Sequence, residues 1–430
     1  SGLAAQSRQG ISARRTKNPV TGHMRVGFHA PDTVEELAYL VAEAADTRTP
    51  LEVMGRGTKR EIGRPMQHGA VLSTENLVGV PLYEPSELAL VALAGTPLAQ
   101  IEQLLAENDQ ALPFEPVDLG PVLGFGPGQA TIGGVIAANL SGSRRIHSGS
   151  ARDHVLGVQA VNGRGETFRS GGRVLKNVTG YDLGRGIAGS WGTLAVMTEI
   201  ALKVLPAQRE VRTVLCFGLA DQTGVEALCL ALCTPFEVSG TVHMHAGLAE
   251  HFSDQEIANS GASVTAIRVE NFPASARYRS SRLKQMLQAY APALELDTMR
   301  SRTFWDEVRA LRMFQKTSRP LWRISTLPST APKLIRSIAR KIEIRVAYDW
   351  SGGLIWLETP PISDAGAVEI RRTLAEFGGH ATLIRAETSA RAGIDVFQPL
   401  DPPLMALTAS LKRAFDPVGI LNPGRMYPGI

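Results

Sequence analysis

The chain has little cysteine. Only Cys216, Cys229 and Cys233 occur among 430 residues, with no C-x-x-C spacing. An odd count without that spacing supports neither a disulfide framework nor a zinc finger, and an iron–sulfur cluster takes about four thiolates. Buried structural cysteine in a reducing cytoplasm is the expectation. Long apolar runs are missing too: none reaches the roughly 18 residues of a membrane helix, so no span is predicted. Excess charge of one sign is missing from the body. The formal charge is +4 and the pI about 9.0, but residues 1–22 carry Arg8, Arg14, Arg15 and Lys17 and no acid. The remainder holds 41 basic and 41 acidic residues. The basic pI belongs to that leader and gives no reason to expect a nucleic-acid-binding body. The leader is aperiodic and rich in Ser, Gly, Ala and Arg, so disorder is expected there. Arg14-Arg15 is not followed by an apolar stretch, which argues against an export signal.

Glycine, by contrast, is concentrated. Eighteen of the 42 glycines fall between Gly120 and Gly192. Glycine loses more backbone entropy on folding than any other residue, so such density needs positive φ or a backbone pressed against something large. The run Gln129–Gly142 mixes small residues with Thr131 and Asn139, which suits a flat, polar-edged ligand lying on main chain. Upstream, the strand Leu51–Met54 leads into Gly55-Arg-Gly-Thr-Lys-Arg-Glu-Ile-Gly63. Flexible N–H groups, a hydroxyl and cations there suit a pyrophosphate. The loop lacks the order of a P-loop. Gly184-x-Gly186-x-x-Gly189 fits a dinucleotide fingerprint by letter only. A polar loop (Lys176–Asp182) precedes it and a strand follows, the reverse of the required context.

The surrounding pattern is mixed. Thr33 and Glu36 match a capping box before a helical face of Leu37, Leu40, Val41 and Ala44. Thr96 is expected to cap a helix that has Pro97 in its first turn. Asn162-Gly163 between Val155–Val161 and Glu166–Arg169 predicts a hairpin, and Leu194–Val204 alternates as a long strand. From 207 to 415 strand-like runs alternate with helical ones, which predicts an α+β region with helices on one sheet face. Asp416-Pro-Val-Gly-Ile-Leu-Asn-Pro-Gly-Arg425 reads as an ordered apolar loop.

Three segments together carry a resemblance: Gly55–Gly63; Ala130–Gly134 through Asn139 and Gly142 to Gly189-Ser-Trp-Gly-Thr-Leu-Ala-Val-Met-Thr-Glu199; and Asp416–Arg425. The chain resembles the FAD-binding oxidoreductases of the p-cresol methylhydroxylase and vanillyl-alcohol oxidase type. Within them, Arg152–Gln159, Val174–Asp182, Leu321–Ser325 and Asn422–Arg425 look like the FAD-binding subunits of bacterial glycolate oxidases. The resemblance implies an α+β fold with a leader (1–22), a two-subdomain FAD-binding unit (23–206), a cap (207–415) and a tail (416–430) completing the FAD site. It implies that Gly55, Arg56, Gly57, Thr58 and Lys59 hold the pyrophosphate. Thr131, Gly133, Gly134, Asn139, Ser141 and Gly142 would line the flavin and ribityl chain. Gly192 and Val196 would offer main chain, and Asn422 and Arg425 would approach the isoalloxazine.

Two departures shape the functional expectation. Covalent members of the family often place His in the pyrophosphate loop; this loop has none, so the FAD is expected to be non-covalent. The His-rich motif H-x-G-D-G-N-x-H of catalytic 2-hydroxy-acid dehydrogenases is absent, and no metal is expected. The catalytic residues stay open. His243 and His245, two apart on a strand, share a face without a third ligand. Arg323 and Arg385 could pair with a substrate carboxylate or form ordinary ion pairs. The implied function is the FAD-binding subunit of a glycolate, or other 2-hydroxy-acid, dehydrogenase complex. Its partners would be a catalytic flavoprotein subunit and an iron–sulfur subunit, with membrane contact only through that complex. Two alternatives stand beside it: a self-sufficient FAD dehydrogenase or oxidase of another alcohol or hydroxy acid, and a non-catalytic assembly subunit.

Overall fold

The computed structural model describes residues 27–172 and 182–430. The leader and most of the polar loop before Asp182 lie outside the described residues.

Three short strands open the chain: β1 (Phe28–His29), β2 (Leu51–Met54) and β3 (Ala70–Ser73), paired in parallel in the order β1-β3-β2. The helix Val34–Thr47 between the first two begins where its sequence predicts. Thr33 Oγ1 accepts the Glu36 N–H at 3.1 Å. The Glu36 carboxylate reaches back to the Asp32 N–H rather than to that of Thr33. Leu37, Val41 and Ala44 are buried against Leu51, Leu72 and Val161.

Next come β4 (Leu82–Glu84), β5 (Ala89–Leu93), β6 (Gln110–Ala111), β7 (Val155–Asn162), β8 (Thr167–Gly171), β9 (Ala195–Lys203) and β10 (Leu205–Pro206). Five of them form an antiparallel sheet ordered β4-β5-β9-β7-β8, and β6 pairs with β10. The Asn-Gly hairpin is β7–β8. Thr96 does not cap the helix Leu98–Ala106; its hydroxyl bonds instead to Leu93 O and Gly79. The residue is fully buried, and its hydroxyl locks the turn from β5 into the helix.

The remaining strands are β11 (Glu210–Phe217), β12 (Val238–Met244), β13 (Val264–Asn271), β14 (Ala293–Leu296), β15 (Leu321–Ser325), β16 (Arg345–Asp349), β17 (Leu354–Glu358) and β18 (His380–Arg385). They build one antiparallel sheet, β14-β11-β13-β12-β16-β17-β15-β18. Alternation along each strand divides its faces. Val214, Cys216, Ile267 and Val269 pack on the helices Asp221–Leu232 and Pro273–Leu287. Helices are not confined to that face: Trp305, from the helix Thr298–Arg309, donates its indole N–H to Thr213 Oγ1 on the opposite face at 2.9 Å.

That opposite face meets the first half of the chain through polar contacts. Arg268 is buried and holds Glu115 with two bonds, at 2.7 and 3.0 Å. Arg144 pairs with Glu270, and Arg309 with Glu102 and the carbonyl of Pro116. Ser143 Oγ donates to Asp349 at 2.7 Å, and the Trp350 indole N–H donates to Gly142 O at 3.0 Å.

After the helix Pro402–Phe415 the chain returns to β2. Leu51 N–H donates to Ile420 O at 2.7 Å, and Asn422 N–H to Leu51 O at 3.0 Å. A buried ionic pin holds this return. Lys412 Nζ donates to Thr193 O, Leu421 O and Asp416 Oδ2, each at 2.7 Å, while Asp416 also accepts N–H groups from Gly419, Ile420 and Leu421.

Candidate cofactor site

Beyond Met54 the chain leaves β2 and folds into a turn, with Gly57 at φ 75° and Arg60 N–H bonded to Gly57 O at 2.8 Å. Positive φ at Gly57 is where glycine is needed. The N–H groups of Gly55, Arg56, Gly57, Thr58 and Lys59 make no hydrogen bond among the described residues. Five successive free donors in one turn are a ready anion nest. The cations of this loop divide. Arg60 is neutralised by a two-point pair with Glu52, at 2.8 and 2.6 Å. Arg56 is exposed and Lys59 buried, and neither side chain has a hydrogen-bond or ion-pair partner among the described residues. Burial lowers the Lys59 ammonium to about 8; Asp118 raises it slightly and Arg425 opposes it.

This nest forms one wall of a cavity. Thr131, Gly133 and Gly134 line it from the start of the helix Ile132–Ala138, where Thr131 Oγ1 accepts the Gly134 N–H at 3.3 Å. A Cβ on Gly133 would sit 2.8 Å from Ala94 O; one on Gly134 would meet Thr131 Oγ1 at 3.3 Å and lie 4.0 Å from Lys59 Nζ. Gly133 is therefore small for packing and Gly134 for access. The far wall holds Trp191, Gly192, Ala195, Val196 and Met197, with Arg425 from the tail. Arg425 donates to Lys59 O at 2.8 Å and lies 5.6 Å from the Trp191 ring centroid. Its buried Nε has no partner, and burial lowers its guanidinium to about 10. Asn422, at φ 43°, ties the walls together: it accepts Val53 N–H at 2.7 Å and donates to Trp191 O at 2.8 Å.

The other residues singled out by sequence lie elsewhere. Asn139, Ser141 and Gly142 are absent from the cavity lining and shape the loop behind it. Asn139 accepts Arg152 N–H, Ser141 accepts Ala151 N–H, and Gly142 abuts Glu115. His243 and His245 both contact Asp221, as does the Tyr348 hydroxyl at 2.7 Å, beneath the helix Asp221–Leu232 and away from the cavity. Those hydrogen bonds hold the Asp221 carboxyl well below its usual range against the opposing effect of burial. No group of three or more His, Cys, Asp or Glu suited to a metal ion occurs among the described residues. Arg385 pairs with Glu358 and three backbone carbonyls. Among the described residues Arg323 makes no such pair. Met54, Ala137, Ala195 and Met197 line the cavity unannounced, since apolar letters inside regular elements carry no sign of what they face; Trp191 joins them from a turn.

The residues present fit a dinucleotide flavin. Free N–H groups, a buried unpaired ammonium and an orphaned guanidinium nitrogen want anionic oxygens, while Trp191, Val196 and Met197 offer apolar surface to a ring. Among the described residues, no His, Cys or Tyr lines the cavity. No helix among the described residues is long and apolar enough to cross a membrane.

Comparison with known proteins agrees. Residues 27–171 match the FAD binding domain family. The chain is 34% identical over 397 residues to the glycolate oxidase subunit GlcE of Escherichia coli (strain K12), covering 92% of this chain and 98% of that protein. It is 25% identical to the glycolate oxidase subunit GlcD of Bacillus subtilis (strain 168), covering 93% and 88%. Among solved structures, p-cresol methylhydroxylase superposes with a TM-score of 0.71 at 14% identity, covering 93% of this chain and 88% of that one. Cavity, fold and end-to-end similarity converge: the chain belongs to the FAD-binding oxidoreductases of the p-cresol methylhydroxylase type, the family of glycolate oxidase subunits, and FAD is its cofactor.

Proposed function

We propose that this protein is the FAD-binding subunit of a glycolate, or closely related 2-hydroxy-acid, dehydrogenase complex. The observation that carries this reading is the likeness to GlcE along nearly the full length of both chains. Residues 23–206 and the tail 416–430 make the FAD-binding unit, and 207–415 the cap. When bound, FAD supplies the acceptance of two electrons from a C–H bond. The nest Gly55–Lys59 binds the diphosphate, with Lys59 and Arg56 neutralising its charge. Thr131, Gly133 and Gly134 bring main chain close to the cofactor. Gly192 and Val196 flank the ring, and Arg425, braced by Asn422 and stacked near Trp191, places a positive charge beside it. Asn139, Ser141 and Gly142 act by holding the loop that docks on the cap. The FAD is held non-covalently, in keeping with a pyrophosphate loop, Gly55–Gly63, that carries no His. Electrons leave to an iron–sulfur partner, and a sister flavoprotein subunit shares the oxidation. The complex, not this chain, supplies any contact with the cytoplasmic membrane surface.

The test is anaerobic mixing of the FAD-loaded chain with glycolate, alone and with its co-purified partners. Flavin bleaching by glycolate that needs the partners supports the reading. Rapid bleaching of the isolated chain would make it self-sufficient, and no bleaching in the intact complex would remove glycolate as the substrate. Acid precipitation should release the flavin into the supernatant.

A further inference from the structure

Two arginines stand apart from the many that this molecule neutralises. Arg145, in the short helix Arg145–Ser148 of the first half, lies with its guanidinium 4.6 Å from the Trp350 ring centroid. Arg323, on β15 of the cap sheet, lies 5.2 Å from the same centroid. Both are half-buried, and neither guanidinium has a hydrogen bond or an ion pair among the described residues. At the same inter-half seam Arg144, Arg268 and Arg309 each meet a carboxylate. An unpaired guanidinium taken partly out of water is costly, and stacking on one indole offsets only part of that cost.

The surroundings add positive charge. Burial, then Arg145, lowers the Arg323 guanidinium to about 10. His380, at the solvent edge of β18, is held below its usual range by partial burial and then by Arg323, Arg145 and Arg371. The nearby carboxyl, Asp349, acts on Arg323 in the opposite sense, but it is raised to about 7 by burial, is engaged with Ser143 and the Trp350 N–H, and makes no ion pair with either arginine among the described residues. Trp350 itself is fixed by its bond to Gly142 O, in the loop that follows the helix lining the cofactor cavity.

We propose that Arg145 and Arg323, one from each half of the chain and both set on Trp350, form a binding site for a small carboxylate of the 2-hydroxy- or 2-oxo-acid class. The planar fork of guanidinium pairs with carboxylate in two-point fashion, and contact with the same indole brings the two forks into one neighbourhood. This inference rests on the hydroxy-acid reading for the identity of the ligand, but its binding residues are argued from the seam alone.

The experiment uses the full FAD-loaded chain, with oxalate and glycolate as probes and tryptophan fluorescence and calorimetry as readouts. Oxalate should bind the wild type, and Arg145→Met and Arg323→Met should each weaken it at least tenfold. Arg323→Lys should retain part of the affinity. Because neither arginine has a carboxylate to orphan, the Met variants should keep their FAD content and melt close to wild type. Trp350→Phe should remove the fluorescence response while calorimetry still detects binding. Unchanged oxalate affinity in the Arg145→Met/Arg323→Met double variant, or no oxalate binding by the wild type, overturns the site. In the assembled complex, a raised KM for glycolate in either variant, with kcat little changed, assigns the site to the substrate. Oxalate binding that depends on both arginines, in a complex that glycolate does not reduce, keeps the carboxylate site and sinks the glycolate reading alone.

Discussion

Lys59 offers the sharpest test of how the cofactor is held. Its ammonium is buried beside five unused N–H groups, and burial lowers it to about 8, against about 10.4 for a free lysine. A diphosphate docked on the nest would restore the charged form, so binding must take up a proton wherever apo Lys59 has lost one. Below pH 7 Lys59 is already charged and the affinity for FAD should be flat with pH. Above pH 8 each further unit should weaken binding by up to about tenfold, or ~1.4 kcal/mol, reaching roughly 100-fold by pH 10. The apo protein should show the mirror effect. The unfolded chain holds the Lys59 proton up to about 10.4, so apo stability rises as pH climbs from about 8 to that value. Isothermal titration in buffers of different ionisation enthalpy measures both affinity and proton uptake, about half a proton at pH 8. Lys59→Met should lose about 1.5–3 kcal/mol of FAD binding at pH 7, the worth of a charged hydrogen bond, and lose the break at pH 8. Lys59→Arg should keep most of the affinity and also lose the break. A wild-type affinity that stays constant from pH 7 to 10, with no proton uptake, would refute the placement of the diphosphate beside Lys59.

Three other outcomes follow from the geometry. Gly133→Ala should destabilise the fold by about 1–3 kcal/mol, as overpacking does, because its Cβ meets Ala94 O at 2.8 Å. Gly134→Ala should leave the melting temperature nearly unchanged and instead reduce flavin content; equal melting and flavin content for the two variants would contradict the assignment. Lys412→Met breaks a buried pair whose loss typically costs about 3–5 kcal/mol. Hydrogen exchange should then quicken at Gly419–Leu421 and FAD affinity should drop, since Asn422 and Arg425 depend on that return. Asp349 has its folded pKa raised to about 7. Its contribution is therefore greatest below about pH 4 and fades as pH rises to 7. Asp349→Asn should flatten the pH dependence of the urea midpoint over that range and stabilise the protein at pH 8.

Most elements of the fold were legible because their signals are local. The capped helix Val34–Thr47, the Asn-Gly hairpin and the alternating β9 each follow from spacing within a dozen residues. β14 is not legible in this way: Ala293–Leu296 lies at the sheet edge and is too short for its Leu294-Glu295-Leu296 alternation to stand out. The helix Thr298–Arg309 went to the unexpected face because Trp305 finds its partner, Thr213, more than ninety positions away.

The sequence by itself determined the chemistry of the cofactor loop: glycines for φ and close approach, and a lysine and arginines for charge. It also set the order of the three segments that assemble the cavity. Which cations are free was decided only by tertiary structure. Arg60 and Lys59 are neighbours of like charge, yet Glu52 on β2 neutralises one and leaves the other alone. Likewise Arg385 is paired by Glu358 on β17 while Arg323, on the adjacent strand β15, lies against an indole and makes no ion pair among the described residues. Ion pairing depends on distances of a few ångströms between residues far apart in the chain, and local pattern carries no record of those distances.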